Sequence, residues 1–293
     1  MIRRILKWTG IVLGSLLLLL LVSYLLIANN IDNRSKQKYT FTAETIVIPT
    51  DSATISRGKH IAAIKGCTDC HGSNLAGRVM IDDAGLGRLT AKNLTKGKGG
   101  LPANFSTTDW VTALRHGVEP ATGKPLLFMP SHETSQLSKA DMAAVIAYCQ
   151  QLTPVDNELP ANKIGPIVNV MTYLGKMPLL SVEMIEHNKP MVTSADTTES
   201  IAQGKYLAVS CTGCHQPNLT GGEPVAPGFP PAPNITSSGH PGKWTLDQFV
   251  HTLRTGKTPT GRQMNPEHMP WKMTAQYSDK ELASLYKYVR SIH

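Results

Sequence analysis

The sequence contains few cysteines and no arrangement of residues typical of a hydrolase. Five cysteines in 293 residues are too few for a disulfide-stabilised scaffold of this size. No Ser-His-Asp or paired-carboxylate arrangement can be argued from the spacing of the residues. Gly85-Leu-Gly87 lacks the third glycine of a dinucleotide-binding loop, and no strand is predicted before it. Charged residues make up only 17% of the chain and hydrophobic residues 41%, which excludes global disorder and allows packed cores.

The net charge of +8 is distributed unevenly along the chain. Residues 1–50 carry six Lys or Arg and two Asp or Glu, a net of +4 and half of the total. The remaining excess is spread over the rest of the chain, so no folded region has the basic stripe that a nucleic-acid-binding domain needs. Nucleic acid is therefore excluded as a partner.

An uncharged apolar run lies close to the N-terminus. It covers residues 8–28, and at 1.5 Å per residue it spans about 30 Å, the thickness of a bilayer core. A cleavable leader has a shorter apolar segment that ends at small residues, so residues 1–30 are interpreted as an uncleaved transmembrane anchor. The basic residues before the run are expected in the cytoplasm, and everything after Asn29 on the opposite side. Residues 31–50 are polar and are interpreted as a tether.

The rest of the chain contains an internal repeat. The run Cys67-x-x-Cys70-His71 recurs 144 positions later as Cys211-x-x-Cys214-His215. The order of the flanking elements predicts two tandem domains at residues 51–155 and 196–293, separated by a linker at 156–195 without a counterpart in the repeat. The other matching elements are Gly58–Ala62 with Gly204–Ala208, Asn93–Thr95 with Asn234–Thr236, Leu114–Gly117 with Leu253–Gly256, Met129-Pro130 with Met269-Pro270, Ser138 with Ser278, and Tyr148 with Tyr288.

Each copy of the repeat is expected to be helical, which predicts an all-α fold. The first helix of each copy ends at the Cys-x-x-Cys-His run, and a middle helix covers residues 107–115 and 245–254. The last helix begins at Ser138 and Ser278, where Ser-x-x-Asp and Ser-x-x-Glu are capping-box patterns followed by apolar residues at helical spacing. The predicted architecture is one transmembrane helix followed by two similar helical domains.

The run Cys-x-x-Cys-His is the attachment signature of a c-type haem. One helical turn presents both thiols to the vinyl groups of the haem, and the adjacent histidine becomes the proximal ligand of the iron. A thioredoxin-like redox pair or a zinc site shares part of this pattern, but two runs in repeated helical contexts favour two covalently attached haem c groups. The predicted haem-binding residues are Cys67, Cys70, His71, Cys211, Cys214 and His215.

Haem attachment of this kind takes place outside the bacterial inner membrane. This agrees with the topology predicted from the N-terminal charges. The sequence therefore predicts a single-pass protein of the bacterial inner membrane with its haem domains on the periplasmic side.

A sixth ligand for each iron is expected from a methionine that precedes a proline. Met129 lies 58 residues after His71, and Met269 lies 54 residues after His215; both stand nine residues before the serine that caps the last helix. A thioether favours ferrous iron, so His/Met ligation raises the reduction potential. The predicted iron ligands are His71, Met129, His215 and Met269. Weaker rivals are Met264, Met273, His132 and His268.

Cys149 is the cysteine outside the two motifs, and two interpretations of it remain open. It is either an axial thiolate or redox centre, or a small apolar residue of the last helix. Its repeat partner is Val289 on the same apolar stripe, which favours the second interpretation.

With these elements the chain resembles bacterial class I cytochromes c. The resemblance covers roughly residues 54–155 and 198–293, and the segments Trp110–Gly117 and Phe249–Gly256 look like those of the cytochrome subunits of membrane alcohol and sugar dehydrogenases. Those subunits usually carry three haems, whereas this chain has two motifs. One anchor followed by two c-haem domains also resembles the dihaem subunit of cbb3-type oxidases.

The resemblance implies an electron carrier rather than a stand-alone enzyme. The expected partners are the membrane and redox proteins: a dehydrogenase, a quinol-oxidising complex or a terminal oxidase. The alternatives are a dihaem enzyme of the thiosulfate dehydrogenase or cytochrome c peroxidase type, and a fixed dihaem subunit of a cbb3-like oxidase.

Overall fold

The computed structural model describes residues 1–42, 44–225 and 228–293. These residues form α-helices and one small sheet, so the predicted all-α class is confirmed, with the sheet as a minor addition. The helices are α1 Ile2–Lys36, α2 Ser52–Ile64, α3 Cys67–His71, α4 Thr107–His116, α5 Ser131–Thr134, α6 Lys139–Gln150, α7 Pro166–Tyr173, α8 Ile201–Leu207, α9 Val209–His215, α10 Leu246–Thr255, α11 Trp271–Thr274 and α12 Asp279–Ser291. The strands are β1 Arg78–Asp83, β2 Gly87–Ala91 and β3 Lys163–Ile164.

The N-terminal helix α1 is long and apolar enough to cross a membrane. Its most apolar 18-residue window has a mean hydropathy of 2.8 and is not buried by the rest of the chain. The helix continues to Lys36, beyond the predicted end of the anchor, and one side of its last turns packs on the linker. Ile31 is fully buried there against Val168 and Leu179.

In both copies of the repeat, the first and last helices cross at a glycine. In the first copy α2 packs on α6, and a Cβ placed on Gly58 would lie 1.9 Å from the carbonyl oxygen of Ala144. In the second copy α8 packs on α12, and a Cβ on Gly204 would lie 2.0 Å from the carbonyl oxygen of Ser284. The crossing is closer than any side chain allows, which explains why this glycine recurs in the repeat.

The polar segment after α1 does not extend freely into solvent. The backbone N–H of Tyr39 donates to the carbonyl of Gly123 at 2.8 Å, and the ring of Phe41 stacks on that of His187 with centroids 3.8 Å apart. Ile46 is 8% exposed and belongs to the core of the first domain. These contacts hold the segment against the first domain.

The sheet was not expected from the sequence, which placed no strand before Gly85. β1 and β2 form an antiparallel hairpin, and Asp83 closes its turn by accepting from the backbone N–H groups of Gly85 and Leu86, both at 2.8 Å. β3 from the linker pairs with Gly87 and Arg88. The strands are short and the third comes from a distant segment, so no local pattern indicates the sheet. Gly85 and Gly87 shape this hairpin and do not begin a dinucleotide-binding helix.

Candidate functional site

Each Cys-x-x-Cys-His run forms a single helical turn. In the first domain this turn is α3, which begins after Gly66 in a left-handed conformation (φ 71°). In the second domain the run forms the last turn of α9. All four cysteines are free and partly buried. Burial raises the pKa of the Cys67 and Cys211 thiols to about 11, so both are protonated at neutral pH.

Both motif histidines are buried, and each is hydrogen-bonded to a backbone carbonyl of its own domain. The Nδ1 of His71 lies 2.7 Å from the carbonyl oxygen of Lys92, and the Nδ1 of His215 lies 2.8 Å from that of Pro233. Burial lowers the pKa of both imidazoles, which favours the neutral form. In the neutral form Nδ1 donates its hydrogen to the carbonyl, so Nε2 presents a lone pair. In the described ranges, Nε2 of neither histidine makes a hydrogen bond to protein.

The two accepting carbonyls are themselves positioned by the Asn-x-Thr elements of the repeat. Lys92 and Pro233 directly precede Asn93 and Asn234. The Asn93 side chain accepts from the backbone N–H of Thr95 at 2.9 Å and donates to the carbonyl of Val155 at 2.8 Å. In the second domain, the Asn234 side chain accepts from the backbone N–H of Thr236 at 2.8 Å. The repeat indicated these loops, but the role of the preceding carbonyls appears only in the fold.

The Met-Pro segments have the same backbone geometry in both domains. Pro130 and Pro270 have ψ angles of 56° and 61°, and in each case the carbonyl of the preceding methionine accepts from the residue after the proline at 2.7 Å. The short helices that follow, α5 and α11, are tied to the middle helices by a threonine hydroxyl. Thr134 donates to the carbonyl of Leu114 at 2.6 Å, and Thr274 to that of Leu253 at 2.7 Å.

Met129 and Met269 are both partly buried, and Met129 packs against the core of the first domain together with Cys67. Of their rivals, Met273 points away from its own domain, because its sulfur lies 3.3 Å from a Cβ placed on Gly66 of the first domain. His268 is exposed. His132 lies 3.1 Å from the hydroxyl of Ser181 in the linker. These placements support Met269 over Met273 and His268 as a candidate ligand.

The two motifs face the opposite domain across an approximately symmetric interface. Glu133 of α5 corresponds to Met273 of α11 in the repeat. A Cβ placed on Gly213 of the second motif would lie 3.0 Å from Oε1 of Glu133. Burial raises the pKa of Glu133 to about 7 and lowers that of Lys65, which is partly buried and points at the carbonyls of Tyr206 and Leu207. The two groups come near each other only through tertiary packing, and sequence analysis did not single out either residue.

Polar contacts from the two first helices complete the interface. Tyr206 donates to Asp141 at 2.8 Å and accepts from the backbone N–H of Ser138 at 3.1 Å. Nε2 of His60 donates to Glu281 at 2.8 Å. His60 and Tyr206 are repeat equivalents, and so are Asp141 and Glu281. The two domains therefore bind each other through matching pairs, each made of a first-helix side chain and the carboxylate three residues after the N-cap serine of the other domain's last helix.

Replacing Glu281 by glutamine is expected to reduce stability by about 1–3 kcal/mol at neutral pH, because it removes the acceptor charge beneath His60. Burial acts to raise the pKa of Glu281, but hydrogen bonds from His60 and Ser278 bring it below its usual 4.5. This contribution is therefore present above the unfolded pKa and is lost as pH falls through the folded pKa. Urea unfolding should show a lower free energy of unfolding for Glu281→Gln than for wild type at neutral pH, and this difference should become smaller at acid pH.

The glutamine retains the capping of α12, so the comparison isolates the contact between the domains. Glu199→Gln is the matched control, because Glu199 pairs with Lys287 on the surface at 2.8 Å and both side chains are about half exposed. That variant should change stability little at either pH. An equal loss in both variants would contradict the proposed weight of the His60 contact.

Cys149 lies in the core of the first domain, 6% exposed, and its equivalent Val289 is 2% exposed. Burial raises the pKa of the Cys149 thiol far above its usual range. This environment supports the interpretation as a small apolar core residue.

Comparison with known proteins gives two matched regions. The family model "Cytochrome c" matches residues 55–153 and 201–293. The fructose dehydrogenase cytochrome subunit of Gluconobacter japonicus is 26% identical over 261 residues, covering 81% of this chain and 52% of that protein. The cytochrome c subunit of the quinone alcohol dehydrogenase of Gluconobacter oxydans is 25% identical, covering 83% and 55%. This chain spans about half the length of these two relatives.

A third relative has a length closer to that of this chain. The "Diheme cytochrome c-type" protein of Cereibacter sphaeroides is 24% identical over 265 residues, covering 81% of this chain and 85% of that protein. The free thiols within one helical turn and the histidine with an available Nε2 fit a covalently attached haem c. Because the family model matches well over half of the chain, the chain belongs to the cytochrome c family, whose members carry covalently attached haem c.

Proposed function

We propose that this chain is a membrane-anchored dihaem cytochrome c that relays single electrons outside the bacterial inner membrane. The observation that carries the proposal is the duplication of one local geometry. In each domain the motif histidine is hydrogen-bonded to a backbone carbonyl. A partly buried methionine and a proline precede a short helix that is hydrogen-bonded to the middle helix. A chain with one degenerate copy would favour an enzyme with an open iron site.

The residues of each site would have separate tasks. The cysteines 67, 70, 211 and 214 would hold the haems through thioether bonds, and His71 and His215 would each bind an iron through Nε2. Haem c supplies a one-electron couple whose potential depends on axial ligand, burial and hydrogen bonds. The carbonyls of Lys92 and Pro233 would keep each imidazole in one orientation and tautomer. Met129 and Met269 would be the sixth ligands.

The partners proposed for this relay follow from the relatives and from α1. Several relatives are named as cytochrome subunits of dehydrogenases, including a gluconate 2-dehydrogenase of Pantoea cypripedii. A membrane dehydrogenase or a quinol-oxidising complex would donate electrons, and a terminal acceptor would receive them. Anchoring by α1, with its basic N-terminal residues in the cytoplasm, would keep both haem domains on the periplasmic side.

The test is a count of haems and electrons on the full chain, matured in a bacterial periplasm and extracted with mild detergent. Intact mass should show two haems per chain, and a reductive titration should take up two electrons. Ferric magnetic resonance should show two low-spin species. A single haem, or a high-spin iron together with turnover of peroxide or thiosulfate, would contradict the relay and favour the dihaem enzyme. Co-purification with oxidase subunits would instead indicate a fixed subunit of an oxidase.

A further inference from the structure

The linker between the two domains carries an apolar helix whose outer side is uncovered in the described part of the chain. On α7 and the residue that follows it, Ile167, Tyr173 and Leu174 are 42%, 52% and 63% exposed. No charged residue occurs from 164 to 175, and a lysine stands on either side of this stretch. The inner side of the helix is formed by Val168, Asn169 and Thr172.

This helix packs on α1 at the level where the apolar run of α1 ends. Nδ2 of Asn169 donates to the hydroxyl of Tyr24 at 3.5 Å, and Ile31 is buried against Val168. The apolar run of residues 8–28 has the length of a bilayer core, so Tyr24 lies about 6 Å inside its outer end. Lipid that surrounds α1 at Tyr24 therefore reaches the apolar side of α7.

We propose that α7 rests on the outer surface of the membrane as a second bilayer contact, beside the anchor α1. The inference depends on the proposed function only in requiring that α1 spans a membrane. The occupant is lipid because α7 packs on α1 near the end of its apolar run, and both helices leave apolar side chains exposed. An apolar face with a tyrosine and flanking lysines is typical of helices in the interfacial region.

The opposite side of the linker is bound to the first domain. The backbone N–H of Phe128 donates to the carbonyl of Leu179 at 3.1 Å, and the Ser181 hydroxyl donates to the carbonyl of Met129 at 2.7 Å. Arg34 at the end of α1 pairs with Glu183 of the linker through an Nε–Oε1 contact of 2.9 Å. The bilayer contact would therefore hold the first domain, with its Met129 segment, in one orientation relative to the membrane.

The test uses the full haem-containing chain in vesicles of phosphatidylethanolamine and phosphatidylglycerol, with nitroxide labels at introduced cysteines. Leu174→Cys and Tyr173→Cys report on the proposed contact. Ile201→Cys is the matched control, since Ile201 is a 51% exposed apolar residue on a helix of the second domain. Leu18→Cys reports on the anchor. Collision with oxygen, which concentrates in lipid, is compared with collision with a water-soluble nickel complex.

The ratio of oxygen to nickel collisions should be several-fold higher at position 174 than at position 201, and highest at position 18. A high ratio at 18 with equal, low ratios at 173, 174 and 201 would overturn the second contact and leave the anchor intact. A low ratio at 18 would overturn the proposed anchor itself. The two failures are therefore distinguishable.

Discussion

Replacing Met129 by leucine is expected to remove the sixth ligand of the first haem and leave the second haem unchanged. Leucine keeps the volume of the side chain but has no sulfur to bind iron, so the fold should persist. The ferric first haem should change its spin state or acquire another ligand. Its midpoint potential should fall by on the order of 0.1 V or more, since axial ligands set haem potentials over about 0.8 V. Absorption, magnetic resonance and redox titration measure these changes, and Met269→Leu should do the same to the second haem.

The controls are methionines in other environments. Met80 on β1 is 43% exposed, and Met80→Leu should leave both haem spectra unchanged. Met273→Leu should also leave the second haem unchanged, because its sulfur lies against Gly66 of the first domain. Unchanged spectra in Met129→Leu would disprove that ligand, and a change in Met273→Leu but not in Met269→Leu would transfer the second ligand to Met273.

Replacing Gly58 by alanine is expected to destabilise the first domain strongly. A Cβ at this position would lie 1.9 Å from a backbone carbonyl oxygen, and a backbone atom cannot rotate away as a side chain can. By helix propensity alone, alanine would stabilise α2 by roughly 0.5–1 kcal/mol relative to glycine. A net loss of stability would therefore be due to the steric clash. Separation of α2 from α6 should cost about 2 kcal/mol or more. In a domain of about 100 residues this lowers Tm by roughly 10 °C, which calorimetry of the haem-loaded chain can measure.

The neighbouring exposed residue provides a matched control for this prediction. Lys59→Ala lies on the same helix, introduces the same side chain and should change Tm by little. Gly204→Ala and Lys205→Ala form the corresponding pair in the second domain, where the Cβ would lie 2.0 Å from the carbonyl of Ser284. A Gly58→Ala protein as stable as wild type would show that the two helices separate without loss of packing.

The interface between the two domains brings the attachment motifs and two ionisable side chains together. The turns α5 and α11 lie against the opposite domain at Gly213 and Gly66, so both haem-attachment motifs lie close to this interface. The partly buried Lys65 and Glu133 lie near both motifs, and burial raises the pKa of Glu133 to about 7. The charge of this interface therefore depends on the fold and not on the net charge of either domain.

The sequence alone determined the all-α class, the resemblance to cytochromes c and the existence of a long apolar N-terminal helix. These features depend on local patterns: an uncharged run of bilayer length, capping serines before apolar helices, and an attachment motif contained in one helical turn. The internal repeat aligned Met129 with Met269 and Gly58 with Gly204, and it indicated the Asn-x-Thr loops. The choice of iron ligands stays a prediction until the methionine variants are measured.

Other features were decided only by the tertiary structure, because they join segments far apart in the chain. The carbonyls of Lys92 and Pro233 become partners of the motif histidines only when a loop 18 to 21 residues away folds back. The third strand of the sheet comes from a linker that the repeat does not explain. The contact of His60 with Glu281 joins residues 221 positions apart, so its strength depends on burial and geometry that no local pattern encodes.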